Sequence, residues 1–370
     1  MVPRPSLVEP QTSWAQELDS DDFDAVPETS QAVRRFVVRG EGEGLRLDQY
    51  LAAQLPEVSR SRIQKWIAQG AVELNGEAAR SRARVCTDDR IDLTPTSSPQ
   101  ECAFEPEPVP FPIVWQDDAI LIVDKPAGLV VHPGAGNWGG TLLNGLLAFD
   151  PRLASVPRAG IVHRLDAGTS GLMVVARTPP AQLDLIRQLQ ARTLVREYWA
   201  LVAGAVAPRV TIDASLARDR RNPVRFCVSK ALAAKPARTF VRCIAQWRLG
   251  DSGATVSWIA CRLDTGRTHQ IRVHLESIGH PLIGDPLYRK HLPAALQAQH
   301  WIARQALHAC RLELRHPMRH EPMAWSSAPP EDMRALMQRL GAREEQLLPP
   351  TRGCLDIGGF ASSSRESAVR

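Results

Sequence analysis

The sequence predicts an α+β protein: a large domain built on a mixed, mainly antiparallel β-sheet, preceded by a small module of helices and short strands. Three observations predict it. Between residues 113 and 340, short apolar runs of strand type outnumber amphipathic runs of helix type. Those strands cluster as hairpins and do not alternate with helices, which argues against a doubly wound parallel sheet. Upstream, Leu47, Tyr50, Leu51 and Leu55 recur at helical spacing inside a short stretch that ends in strands. The chain has 370 residues, enough for two or three domains, and its 44% hydrophobic and 23% charged residues are ordinary for a globular protein. It holds no apolar run of membrane-spanning length.

Residues 1–33 set Glu9, Glu17, Asp19, Asp21, Asp22, Asp24 and Glu28 against Arg4 alone, with no helical or strand period. The expectation is a disordered acidic tail. It lacks the basic start and apolar core of a signal peptide. Seven scattered cysteines without a C-x-x-C pair fit free thiols. Both features point to the cytoplasm.

Residues 34–94 read as a compact domain. Pro56 ends the first helix, and Ser59 or Ser61 can cap a second that buries Ile63, Trp66 and Ile67. Gly70 stops that helix, Ala71–Leu74 is a strand, Asn75-Gly76 a tight hairpin turn, and Arg90–Leu93 a further strand. Arg60, Arg62 and Lys65 lie off the apolar face. They form either a solvated basic face or a helix that contacts RNA phosphates. Residues 95–112, rich in Pro, Ser and Glu, are expected to be a semi-stiff linker.

From 113 to 340 the expected strands are Ile120–Val123, Leu129–Val131, Ile161–Val162, Leu172–Ala176, Arg196–Ala203, Thr239–Trp247, Ala254–Leu263 and Ala306–Leu314. Helices are expected at Thr141–Phe149, at Pro179–Arg192 with Leu183, Ile186 and Leu189 on one face, at Thr268–Gly279 and at Glu331–Leu340. Residues 341–370 turn polar and Gly/Ser-rich, and a frayed tail is expected there.

The chemistry centres on GIVHRLDAGTSGLMVVAR, residues 160–177. Asp166 stands at a strand-to-loop junction between two apolar runs, with Gly168 and Gly171 permitting a tight connection. Such a carboxylate either caps the turn or is presented for catalysis. Other motifs are weaker. Gly134 to Gly139 matches G-x-G-x-x-G, but lacks the strand–helix alternation and the downstream acid of a dinucleotide site. His269, His274, His280 and Asp285 have spacings that fit no familiar metal set. Ser170 is not in a G-x-S-x-G elbow. From Arg218 to Arg242 eight basic residues face one acid, Asp219, which suits a surface following a nucleic-acid backbone. Near the next strand end, Arg267 and Arg272 straddle a helix start, where an arginine can pair with a carboxylate or hold a phosphate. Asp166, Tyr198 and Arg272 could converge.

HRLDAGTSGLMVVA resembles the active-site motif of the pseudouridine synthases that modify ribosomal and transfer RNA uridines. REYWALVAG and LDTGRTHQIRVHLESIGHPLIGDPLY are similar to that family's second and third motifs, in the same order. RLDQYLA…SRSRIQKWIAQGAVELNG resembles the alpha-L RNA-binding domain. The resemblance spans about residues 34–340. It implies a catalytic domain of pseudouridine synthase type behind an RNA-binding module. It implies that Asp166 is the catalytic aspartate, that Tyr198 stacks on the flipped uracil and serves in proton transfer, and that Arg272 pairs with Asp166. Arg164 would displace the base and hold the RNA, Ile271 would pack on the base, and Arg267 and His269 would border the pocket or contact phosphate. The RNA-binding residues would be Arg60, Arg62 and Lys65. The expected partner is large-subunit ribosomal RNA or a pre-ribosomal particle, bound by a monomer. Isomerisation oxidises nothing and releases no group, so no cofactor or metal is expected. The alternatives are the same chemistry on a transfer RNA, or a non-catalytic RNA-binding or assembly factor. One departure is Ala167-Gly168, where relatives typically carry Lys-Asp or a similar polar pair.

Overall fold

The structure, a computed structural model, describes residues 33–95, 102–134, 136–250, 253–299 and 301–348. The acidic lead up to residue 32 and the chain beyond 348 lie outside the described residues. The chain divides into two compact units, Met1–Cys102 and Ala103–Arg370.

The first unit contains β1 (Arg34–Val37), α1 (Leu47–Gln54), α2 (Arg60–Ala68), β2 (Val72–Leu74), β3 (Glu77–Ala78) and β4 (Arg90–Leu93), with sheet order β1-β4-β2-β3. Ser59 caps α2 by accepting from the Arg62 amide. Asn75 and Gly76 both take positive φ, 56° and 83°, as a tight two-residue hairpin requires. Leu47, Leu51, Ile63, Trp66 and Ile67 pack with Ile91 and Leu93 in one core. Asp48 on α1 is fully buried and receives Arg46, Arg60 and Gln64. Arg60 is therefore committed to an ion pair, at 2.9 Å, as well as lying on the basic face. Lys65 is exposed, and the Arg62 guanidinium stands 5.1 Å over the Trp66 ring.

The second unit contains β5 (Ile113–Gln116), β6 (Ile120–Lys125), α3 (Leu142–Phe149), β7 (Ser170–Ala176), α4 (Pro179–Gln190), β8 (Val195–Ala203) and β9 (Arg209–Asp213). There follow β10 (Leu216–Arg218), β11 (Phe226–Val228), β12 (Arg238–Leu249), β13 (Ala254–Leu263), α5 (Gln270–Ser277) and α6 (Ala294–Gln297). The last elements are β14 (Leu307–Arg315), β15 (Pro322–Ser326), α7 (Glu331–Leu340) and α8 (Glu344–Leu347). The main sheet runs β5-β6-β7-β14-β8-β13-β12-β9, with β15 paired to β14; β10 and β11 form a separate ribbon. Every pairing in it is antiparallel except β7 with β14. Alternation along β8 splits the core. Tyr198, Ala200 and Val202 face the cluster that holds α3 and α5, while Trp199, Leu201 and Ala203 face the cluster that holds α7.

Five expectations are corrected. Leu129–Val131 is not a strand, because the Val130 and Val131 carbonyls accept the first orphan amides of α3, from Leu142 and Leu143. Ile161–Val162 contributes one bridge, Ile161 to Val175. On α4 the buried side chains are Ala181, Gln182 and Leu185, and Leu183 is exposed. Gln182 can be buried because its amide donates to the Pro157 carbonyl at 2.8 Å. The linker is only partly one: Asn144 of α3 donates to the Ala103 and Glu105 carbonyls, which fastens 103–105 to the second unit. At the other end Ala342 and Leu347 are buried with α7, so the core runs past residue 341. No helix among the described residues is long and apolar enough to cross a membrane.

Candidate active site

The loop that carries Asp166 is held by its backbone. Lys125 ends an apolar strand yet is fully buried. Its Nζ donates to the carbonyls of Pro126, Leu129 and Ala167 at 2.9, 2.9 and 3.0 Å. Arg304, paired with Asp332, donates to the Gly168 carbonyl at 3.0 Å. The Thr169 amide closes the turn onto the main-chain carbonyl of Asp166 at 2.9 Å. The turn thus uses the backbone of Asp166 and leaves its carboxylate available. Gly171, at φ 114°, passes so close to Ala309 that a Cβ would stand 2.3 Å from the Ala309 carbonyl oxygen.

Burial, opposed by the charges of Asp166 and Asp124, lowers the pKa of Lys125 from the lysine range to about 7. Between about pH 7 and the ordinary lysine value of about 10.4, the folded protein then binds fewer protons than the unfolded chain. Its stability relative to a Lys125→Met variant should rise with pH across that window. Thermal melts of both proteins from about pH 7 to about pH 9.5 test this, and a difference that shrinks with pH would refute it.

Arg272 reaches the same carboxylate from α5. Its Nε and Nη2 grip both oxygens of Asp285 at 2.8 and 2.9 Å, and its Nη1 donates to Asp166 Oδ2 at 3.0 Å. Asp285 is almost fully buried and also accepts the amides of Leu287 and Tyr288. A guanidinium held this way offers one fixed donor to Asp166. Burial opposes its charge, but Asp285 and Asp166 outweigh burial and raise its pKa.

His269 precedes α5 with a left-handed φ of 56°. The Tyr288 hydroxyl accepts from the Phe226 amide at 2.8 Å and is hydrogen-bonded to His269 Nδ1 at 2.9 Å. His269 Nε2 stands 4.0 Å from Asp166 Oδ1. Burial lowers its pKa against the pull of Asp166, which keeps the ring neutral. A Tyr288→Phe variant releases the His269 ring and orphans the Phe226 amide. It should lose about 1–2 kcal/mol of stability and about tenfold in turnover. Unchanged melting and rate would sink the assignment.

Tyr198 presents its ring from β8, and burial raises its phenol to about 12, so it stays protonated. One pocket is lined by Asp166, Tyr198, Arg272, Arg164, Ile271, Arg267 and His269, which brings together every site residue expected in this unit. Arg60, Arg62 and Lys65 belong to the other unit. Lys125, Tyr288 and Arg304 escaped sequence reasoning, and Asp285 entered it only among residues that fit no metal set. Only the Asp285 stretch, GDPLY, carried a signal, as an aspartate positioned to accept amides two and three residues on. No cluster suited to a metal ion occurs among the described residues.

Two family models match this chain. The RNA pseudouridylate synthase family matches residues 119–277, and the S4 domain matches residues 45–91. The chain belongs to the pseudouridine synthase family and is an RNA pseudouridine synthase carrying an S4 domain. It is 45% identical to Ribosomal large subunit pseudouridine synthase D of Nitrosomonas europaea, over 88% of this chain and 94% of that one. It is 42% identical to the protein of the same name from Escherichia coli K12, over 82% and 93%. The solved structure of human RNA Pseudouridylate Synthase Domain Containing 1 aligns with 67% of this chain and 98% of its own, with 23% identity and a TM-score of 0.46.

Proposed function

We propose that this enzyme converts uridine to pseudouridine in a stem-loop of large-subunit (23S) ribosomal RNA, with Asp166 as the catalytic carboxylate and without a cofactor. The observation that carries the reading is the Arg272 fork, locked on Asp285 and turned with one donor to Asp166. It holds the carboxylate aimed into the pocket beside a fixed positive charge. The names of the relatives support the ribosomal substrate.

The target uridine leaves its stack to enter the pocket. Arg164, exposed at the mouth, takes the place of the base and holds the RNA. Tyr198 stacks on the uracil and Ile271 packs against it, both buried. Asp166 acts on the nucleotide as the N1–C1′ bond breaks. The uracil turns, C5 bonds to C1′, C5 gives up its proton and N1 gains one, so composition is unchanged. Tyr198, protonated and beside the base, serves in that proton transfer. Arg267 and His269 border the pocket. The S4 unit, through Arg62 and Lys65 and in part Arg60, holds the RNA alongside. The protein works as a monomer in the cytoplasm.

The test is carbodiimide derivatisation of large-subunit RNA followed by primer extension, in a strain lacking this chain and after adding the purified protein. A pseudouridine stop should vanish and then return. Unchanged modification of that RNA would refute the reading.

A further inference from the structure

The pocket contains a fourth arginine, which the mechanism above does not use. Arg196 is the second residue of β8, two before Tyr198, on the same face of the strand and about 7 Å away along it. It is 8% exposed, and its Nε is buried without a hydrogen-bond partner. No carboxylate among the described residues lies within ion-pair range of it. The other two buried arginines of this unit, among the described residues, are answered: Arg272 by Asp285 and Arg311 by Glu313. Burial accordingly weakens the hold of Arg196 on its proton. An unpaired buried cation costs several kcal/mol and is retained only where something negative arrives to meet it.

Its guanidinium lines the pocket beside Asp166, Tyr198 and Leu263. Gly266 makes room for it, since a Cβ there would stand 2.8 Å from Nη1. The depth selects the ligand. Backbone phosphates are met at the mouth, where Arg164 is exposed and Arg267 half-buried, whereas only the inserted base reaches the floor.

We propose that Arg196 is a further catalytic residue, which donates to a carbonyl oxygen of the flipped uracil and stabilises the negative charge that develops on that ring. When the N1–C1′ bond breaks, its electron pair stays with the uracil and spreads over N1, O2 and O4. C5 bonding to C1′ consumes that charge; loss of the C5 proton restores it on the ring until N1 takes up a proton. The guanidinium is unpaired before and after, and paired while the ring is anionic, which favours the transition state over the ground state. This rests on the uridine-isomerase reading.

The test is single-turnover conversion of a uridine stem-loop transcript, with RNA affinity measured separately by filter binding. Arg196→Met should slow the chemical step about 10²–10³-fold while the Kd for RNA stays within about twofold. Arg196→Ala should be partly rescued by added guanidinium and not by sodium at equal ionic strength, a response no packing role produces. An unchanged rate, or a loss confined to Kd, would overturn the proposal. If those two variants do not fold, Arg196→Gln decides, because it keeps a hydrogen-bond donor and removes the charge. It should slow the step about tenfold or more, and a wild-type rate overturns the proposal. No product from the wild-type protein would overturn the functional reading itself, and this proposal with it.

Discussion

Asp166→Asn is expected to abolish uridine isomerisation, by about four orders of magnitude or more, with RNA affinity within about twofold of wild type. The change is nearly isosteric. The turn beneath it is closed by the Asp166 carbonyl and by bonds from Lys125 and Arg304 to the next two carbonyls, none of which the substitution touches. Asparagine can still accept from Arg272 Nη1 through its amide oxygen, and Arg272 keeps its counter-charge in Asp285. What is lost is the negative charge at one point of the pocket. Product formation measured on a stem-loop transcript, beside filter binding, separates the two quantities. Retained turnover would remove Asp166 from the chemistry.

Arg272→Met is expected to fail differently, losing both turnover and stability. Asp285 would remain buried with its two backbone amides but no cation. Breaking a buried pair from one side costs about 3–5 kcal/mol, which in a domain of this size lowers Tm by about 10 °C. Adding Asp285→Leu to Arg272→Met should recover much of that Tm without restoring any turnover, since the orphaned charge is gone but the donor to Asp166 is still missing. A double variant no more stable than the single one would show that the pair is not the source of the loss.

Strands and helices were legible where periodicity is strong. Ala254–Leu263 and Glu331–Leu340 coincide with β13 and α7 residue for residue. Leu129–Val131 misled because an apolar run can place its carbonyls over a helix start as readily as in a ladder. In the pocket, Asp166, Tyr198 and Arg272 stood out because each sits at an element end or face in a distinctive phrase. The groups that hold them did not. Lys125 acts on a carbonyl 42 residues away, and its charge at the end of an apolar run carries no trace of that distance. Arg60 shows the converse: its basic character was plain, but its partner Asp48 lies one helix earlier, and only the packing of α1 on α2 joins them.

Gly168 has a consequence for how this protein can diverge. A Cβ there would stand 2.6 Å from the side-chain oxygen of Gln305, whose amide is already engaged with Thr169. A side chain at 168 therefore needs the Gln305 amide to shift off Thr169. Positions 168 and 305 are coupled: Gly168→Ala should be tolerated better beside Gln305→Ala than alone.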